Sequence, residues 1–223
     1  MPRRASVVLV AFAIACAVGA PVYAKPSPPT LATYQSGFLA ALVKGAKVTE
    51  VDRYVPPADV RPAHVVHILA SQDGTQFWYV SDGFGLVRQP GSAAGAKNVF
   101  VELATWADHR DRRIAELVSL IGEAMHQHPA RGAFDAWRYD TVSMPQPVYG
   151  LRTFVLRPGA ELGMPRDDAR EQRVSVYTLI PLTEAERPQV VNVGREQARA
   201  WVEKRAVGEP AAMLARWQLT PPR

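Results

Sequence analysis

Three groups of residues have the types that chemistry needs. Ser81 lies in 79-YVSDGFG-85, after a β-rich run and before two glycines. A serine there could act as a nucleophile if a histidine and an acid reached it. Five histidines, at 64, 67, 109, 126 and 128, could ligate a metal or carry a proton. Asp167 and Asp168 are paired carboxylates, the type used in general acid–base work.

Spacing argues against each group. No G-x-S-x-G elbow surrounds Ser81 and no helical pattern starts directly after it, so a strand ending in a glycine-rich turn is expected. His64 and His67 are three apart in a strand pattern and must point to opposite faces. His126 and His128 sit at a helix end, where a two-residue step diverges by about 200° around the axis. His109 stands at a helix start. No metal site is expected. Asp167 and Asp168 lie between Arg166 and Arg170 in a polar stretch, which reads as a solvated loop. The stretch 83-GFGLVRQPGSAAG-95 lacks the Lys-Ser/Thr and the helix of a phosphate loop, and no cofactor is expected.

Charge narrows the partners. The 26 Lys and Arg outnumber the 21 Asp and Glu, but the two signs are interleaved, as in DHRDRR and RDDAREQR. That is a solvated surface, not a nucleic-acid footprint. The N-terminus, MPRRASVVLVAFAIACAVGAPVYAKPSPP, has two arginines, a short apolar run and small residues before Lys25. It reads as a secretory signal peptide over 1–24, followed by a linker over 25–30. A periplasmic or secreted location follows, with no transmembrane segment after cleavage. An uncleaved anchor is one alternative; a lipid anchor at Cys16, in 13-AIAC-16, is another. Cys16 is the single cysteine, so the cleaved chain can form no disulfide and must be held by its core.

The elements that must position these residues are legible in part. Leu31, Tyr34, Phe38, Leu39 and Leu42 recur at helical spacing, and Gly45 is a plausible stop. The runs HVVHILAS and QFWYVSDG flank Asp73-Gly74, a strong hairpin signal. NVFVELATW reads as a strand. Ile114, Leu117, Val118, Ile121 and Met125 define an amphipathic helix over 108–127, with Asp108 as its expected cap. Strands are expected at 151–158 and 173–182, joined by a polar loop. Thr183 and Glu186 form a capping box in 183-TEAE-186, and Pro188 should break or kink the helix it starts. Gly194 opens a second helix carrying Ala198, Trp201 and Val202. The tail at 209–223 allows one short helix before two prolines. The expected fold class is α+β: a mixed, mostly antiparallel sheet covered by helices on one side, in a single domain over 31–223.

The motif order resembles the suppressor-of-fused (SUFU) domain family. A glycine and serine turn precedes a strand with Val101-Glu102-Leu103, a helix follows, and Pro181-Leu182-Thr183-Glu184-Ala185-Glu186 leads to a glycine-containing helix. The match runs over 75–205. The turn Ser81-Asp82-Gly83-Phe84-Gly85 departs from the Thr-x-Gly-x-Ser order more frequent in that family. The resemblance implies a non-enzymatic protein-binding domain. Animal relatives sequester a transcription factor; bacterial relatives include immunity-type proteins that neutralise a toxin. An exported member would meet a toxin or an envelope protein. Its binding face is expected on loops, with Ser81, Asp82, Phe84, Trp106 and Trp137 as candidate contacts, while 175–205 serves as scaffold pinning the last helices to the sheet edge. Two other functions remain open: a small exported hydrolase using Ser81 or a histidine, and an envelope protein with a small-ligand pocket between sheet and helices.

Overall fold

A computed structural model describes residues 31–87, 100–127, 140–165, 171–191, 193–204, 217 and 219. The expected leader with Cys16, the linker, Trp137, His128, Asp167, Asp168 and most of the tail lie outside these residues. The order of elements is α1 (Leu31–Leu42), β1 (Val48–Tyr54), β2 (Val65–Ser71), β3 (Phe77–Asp82), β4 (Val101–Ala107), α2 (Arg112–Gln127), β5 (Asp140–Val148), β6 (Leu151–Pro165), β7 (Glu171–Leu182) and α3 (Arg195–Val202). Short 3-10 turns occupy Phe84–Leu86 and Arg187–Gln189.

The strands form one sheet in the order β1-β2-β3-β4-β7-β6-β5. Every pairing is antiparallel except β4 with β7. The sheet is therefore mixed and mostly antiparallel, and the class is α+β as expected. β2 is apolar on both faces because both are covered. Val66 and Ile68 pack with Tyr79, Leu103 and the α2 residues Ile114, Leu117, Val118 and Ile121. Leu69 packs on the other side with Val80, Val176 and the α1 residues Tyr34 and Phe38. Strand alternation separates these two sets. Helices thus cover both faces, not one. α3 joins the α1 side, where Ala198 and Val202 meet Val155, Ile180 and Leu182. It lies on β6 and β7 inside the sheet, so the last helix is held on a face and not at the edge.

Other departures have local causes. Asp111, not Asp108, caps α2: its carboxylate accepts from Arg113 N–H at 2.9 Å, whereas Asp108 pairs with His109. Tyr79 hydroxyl fixes that start by accepting from Asp111 N–H at 2.7 Å. β5 was not visible in the sequence because Pro145 and Pro147 interrupt it; it is the sheet's outer strand, where a missing N–H donor is tolerated. The hairpin of β6 and β7 extends through much of the expected polar loop, up to Pro165 paired with Glu171. The register shifts between Pro158 and Glu161. There a Cβ on Gly159 would lie 2.5 Å from the Val176 carbonyl, so glycine permits the bulge. The capping box forms, with Glu186 N–H donating to Thr183 Oγ1 at 3.3 Å and Thr183 N–H to Glu186 Oε2 at 3.1 Å. It starts only a 3-10 turn, because Pro188 follows at once.

The tail contributes Trp217, which is fully buried and stacks with Phe154 at 6.2 Å between centroids. Its indole N–H donates to Thr105 Oγ1 at 3.0 Å.

Gly122 gives a test of the packing. An alanine normally improves a helix interior by about 1 kcal/mol over glycine. Here its Cβ would meet the Phe84 ring, and that ring is stacked between His64 at 4.1 Å and His126 at 5.1 Å. Gly122→Ala should therefore lower stability by about 1–3 kcal/mol, read from urea unfolding. A gain would mean that the ring is free to move.

Candidate functional site

The polar residues of the fold gather where β3, β4 and the Phe84 turn meet α1. Glu102 is the centre. It belongs to the apolar run of β4 and is fully buried. Its Oε1 accepts from Gly83 N–H at 2.8 Å, Gly85 N–H at 2.7 Å and Tyr34 hydroxyl at 3.1 Å. Its Oε2 accepts from Ser81 hydroxyl at 2.5 Å, and Ser81 Oγ in turn accepts from Leu103 N–H at 2.8 Å. Both glycines are required by this approach. Gly83 has φ +133°, and a Cβ there would lie 2.6 Å from the Ala63 carbonyl; one on Gly85 would lie 2.0 Å from Tyr34 Oη.

Burial pushes the Glu102 carboxyl up to about 7, and the Asp82 charge acts the same way, while the donors from Ser81, Gly85 and Gly83 pull it down. Burial also raises the Tyr34 hydroxyl, helped by Glu102 and Asp82.

A second chain of groups runs through Asp82. His67 Nε2 lies 2.9 Å from Asp82 Oδ2, and His67 Nδ1 lies 2.8 Å from Glu50 Oε1. Each ring nitrogen faces a carboxylate, so the ring holds both protons. Burial alone would lower its pKa; the bonds and charges of Asp82 and Glu50 raise it overall. Burial raises the Asp82 carboxyl against the pull of His67. Glu50 continues outward to Arg53 at 2.9 Å. Asp82 Oδ1 has no hydrogen-bond partner among the described residues.

The remaining histidines do other work. His64 Nδ1 faces the Pro62 carbonyl at 2.8 Å, and burial lowers this ring to about 4, so Nδ1 carries its single proton. Its Nε2 faces Ser119 Oγ at 2.7 Å, and Ser119 also reaches Glu123 Oε1 at 2.8 Å. This is the serine–histidine pair that the sequence did not reveal. Ser119 is 1% exposed within α2, and Phe84 stacks on His64, so no substrate can approach it. His126 donates from Nδ1 to the Gly122 carbonyl at 2.9 Å. His64 and His67 lie on opposite sides of the sheet, as their spacing requires. Among the described residues no group of three His, Cys, Asp or Glu could hold a metal ion.

The candidate contact residues divide. Ser81, Asp82 and Phe84 come together, but all three are buried, with exposures of 0%, 0% and 1%. They organise the interior and present no side chain at the surface. The proton of Ser81 goes to Glu102, not to a histidine. Trp106 is half-buried, opposite Trp78 across the strands, and packs toward α3. Trp137 lies outside the described residues. Sequence reasoning had Glu102 only in the motif Val101-Glu102-Leu103 and His67 only among the five histidines, and took neither as a contact residue. The available signal was one acid inside the apolar run NVFVELATW, and one histidine inside VVHILAS.

The sequence matches no protein-family model and no curated protein. Solved structures do match. A SUFU (suppressor of fused protein) homolog from Neisseria gonorrhoeae FA 1090 superposes with TM-score 0.52 at 16% identity, over 77% of this chain and 89% of that one. The Sufu chain of a Sufu–Fu complex superposes with TM-score 0.53 at 11% identity, over 81% and 86% of the two chains. At these identities the likeness is one of fold, and the fold is SUFU-like.

The buried carboxyl gives a pH test with a defined sign. A carboxyl raised by folding contributes stability that is fully present below its unfolded value, near 4.5, and lost as pH rises through about 7. Glu102→Gln keeps an acceptor for the two glycine amides and cannot ionise. Its stability relative to the native protein should climb by about 3 kcal/mol between pH 4.5 and pH 7.5. Glu102→Ala strands four donors and should lose at least about 3 kcal/mol at any pH. Thermal unfolding of the three proteins across that range decides it; a constant difference for Glu102→Gln contradicts the raised carboxyl.

Proposed function

We propose that this SUFU-like domain binds another protein after export, and restrains it in the manner of an immunity protein. One observation carries the reading: the fold is shared with a chain whose structure was solved in complex with a protein partner, Fu. The interior chemistry favours it over the hydrolase alternative. A serine nucleophile needs a base and an open approach. Ser81 is bonded to a carboxylate and a backbone N–H, and Ser119 is enclosed between α2 and His64. Both serines serve as hydrogen-bond joints.

Export rests on the N-terminal pattern, with Arg3 and Arg4 before an apolar run and Val22-Tyr23-Ala24 before Lys25. No helix among the described residues is long and apolar enough to cross a membrane.

Affinity capture of the tagged protein from its own cell envelope, followed by reconstitution from purified components, tests the binding function. One partner at near-equal stoichiometry, whose own activity falls on binding, is the expected result. No partner across a range of salt concentrations would remove the binding reading and favour a small ligand. The mass of the captured chain tests export separately: the expected N-terminus is Lys25, and a chain retaining Met1–Ala24 in the cytoplasmic fraction contradicts it.

A further inference from the structure

The α2 face packs as one apolar group, from Val66 on β2 across to Leu156 on β6. The opposite face packs as two. Tyr34 and Phe38 of α1 join Leu69, Val80 and Val176, while Ala198 and Val202 of α3 join Val155, Ile180 and Leu182. A seven-stranded sheet is about 30 Å wide, and two helices laid along it cover about 20 Å. The seam between the two groups falls on β4. This is the middle strand, where cover should be most complete, yet Ala104 and Trp106 are only half-buried. The alternate residues Leu103, Thr105 and Ala107, on the α2 face, are fully buried. Trp78 of β3 is half-buried too and stands directly opposite Trp106, so the two indoles share the open face. Trp78 packs with the α1 group and Trp106 with the α3 group, which places the pair across the seam.

The free charges beside this seam are positive. Lys44 and Lys47 stand in the turn from α1 to β1, among Leu42, Val43 and Val48, which pack with the group of Trp78. Lys204 follows Trp201, which packs with the group of Trp106, by three residues. All three lysines are exposed, and none makes an ion pair among the described residues. Carboxylates nearby are engaged: Asp73 accepts from Thr75 N–H at 3.2 Å, Asp108 pairs with His109 at 2.7 Å, and Glu203 pairs with Arg157 at 3.0 Å. A helix C-terminus favours a lysine, which accounts for Lys44 and Lys204 but not for a middle strand left open between them.

We propose, on the protein-binding reading, that the seam over β4, floored by Trp78, Ala104 and Trp106, takes up a segment of another protein that carries apolar side chains between carboxylates. An apolar side chain set on Ala104 would complete the cover of both indoles, and half-buried tryptophans are the type of residue that anchors an interface. Carboxylates on either side of it would meet Lys44, Lys47 and Lys204 at the rim, where charge selects the partner and speeds its approach. The same lysines repel a basic segment.

A fluorescein-labelled synthetic peptide of leucine and phenylalanine flanked by glutamates tests the chemistry, with anisotropy as the readout and the lysine-for-glutamate peptide as its counterpart. The native protein should bind the acidic peptide saturably at low salt, more weakly as salt is added, and should not bind the basic one. Combining Lys44→Glu with Lys204→Glu, both exposed, should weaken binding at least about tenfold, as should Trp106→Ala. Arg173→Glu, which reverses a cation 71% exposed on the other face of β7, should leave it unchanged. No binding of the acidic peptide, equal binding of the basic one, or full affinity in the lysine double variant overturns the site. A protein captured from the envelope that binds the native chain and the double variant equally overturns it as well, and leaves the binding function standing.

Discussion

The structure depends on one buried carboxyl. Glu102 collects donors from three distant segments: Tyr34 in α1, Ser81 at the end of β3, and the amides of Gly83 and Gly85 in the following turn. A buried carboxyl without partners would cost several kcal/mol, so these segments are held to it as firmly as it is to them. The turn must carry glycine at both positions to bring its amides close. Phe84 between them is driven the other way, into the slot between His64 and His126, and α2 must carry glycine at 122 to admit it. One acid thus connects the helix on each face through five residues of turn.

Elements set by local pattern were legible in the sequence. The Asp73-Gly74 hairpin, the amphipathic face of α2 and the stop at Gly45 depend on periodicity and backbone preference alone. Elements set by the sheet were not. β5 reads as a loop because prolines deny it the look of a strand; only its outer position makes it one. Asp108 and Asp111 are equally good caps by type, and Tyr79, thirty-two residues away, decides between them by accepting from Asp111 N–H. The polar cluster was illegible for the same reason. Glu102, His67 and Asp82 stand in three largely apolar strands, and only the pairing of those strands makes them neighbours. Helices on both faces could have been inferred from β2, whose apolar run leaves no face for solvent.

Residue types that suggest catalysis here serve cohesion. Ser81 and Ser119 each join a carboxylate to another group, and His64 joins Ser119 to the Pro62 carbonyl. Such groups resemble a catalytic site in composition, but a catalytic site also needs room for a reacting atom. The one hydroxyl proton of Ser81 is already used within the domain. The enclosed polar groups hold segments of the domain together.

β4 joins segments on both faces of the sheet. It is the middle strand of the seven, and it holds one chain segment on each face. On one side Glu102 accepts from Tyr34 of α1; on the other Thr105 accepts from Trp217 of the tail and donates to the Leu179 carbonyl of β7. Only the first of these joints contains titratable groups. The joint with Trp217, made of a hydroxyl and an indole, contains no titratable group. The two faces of one strand thus carry one charged joint and one neutral joint.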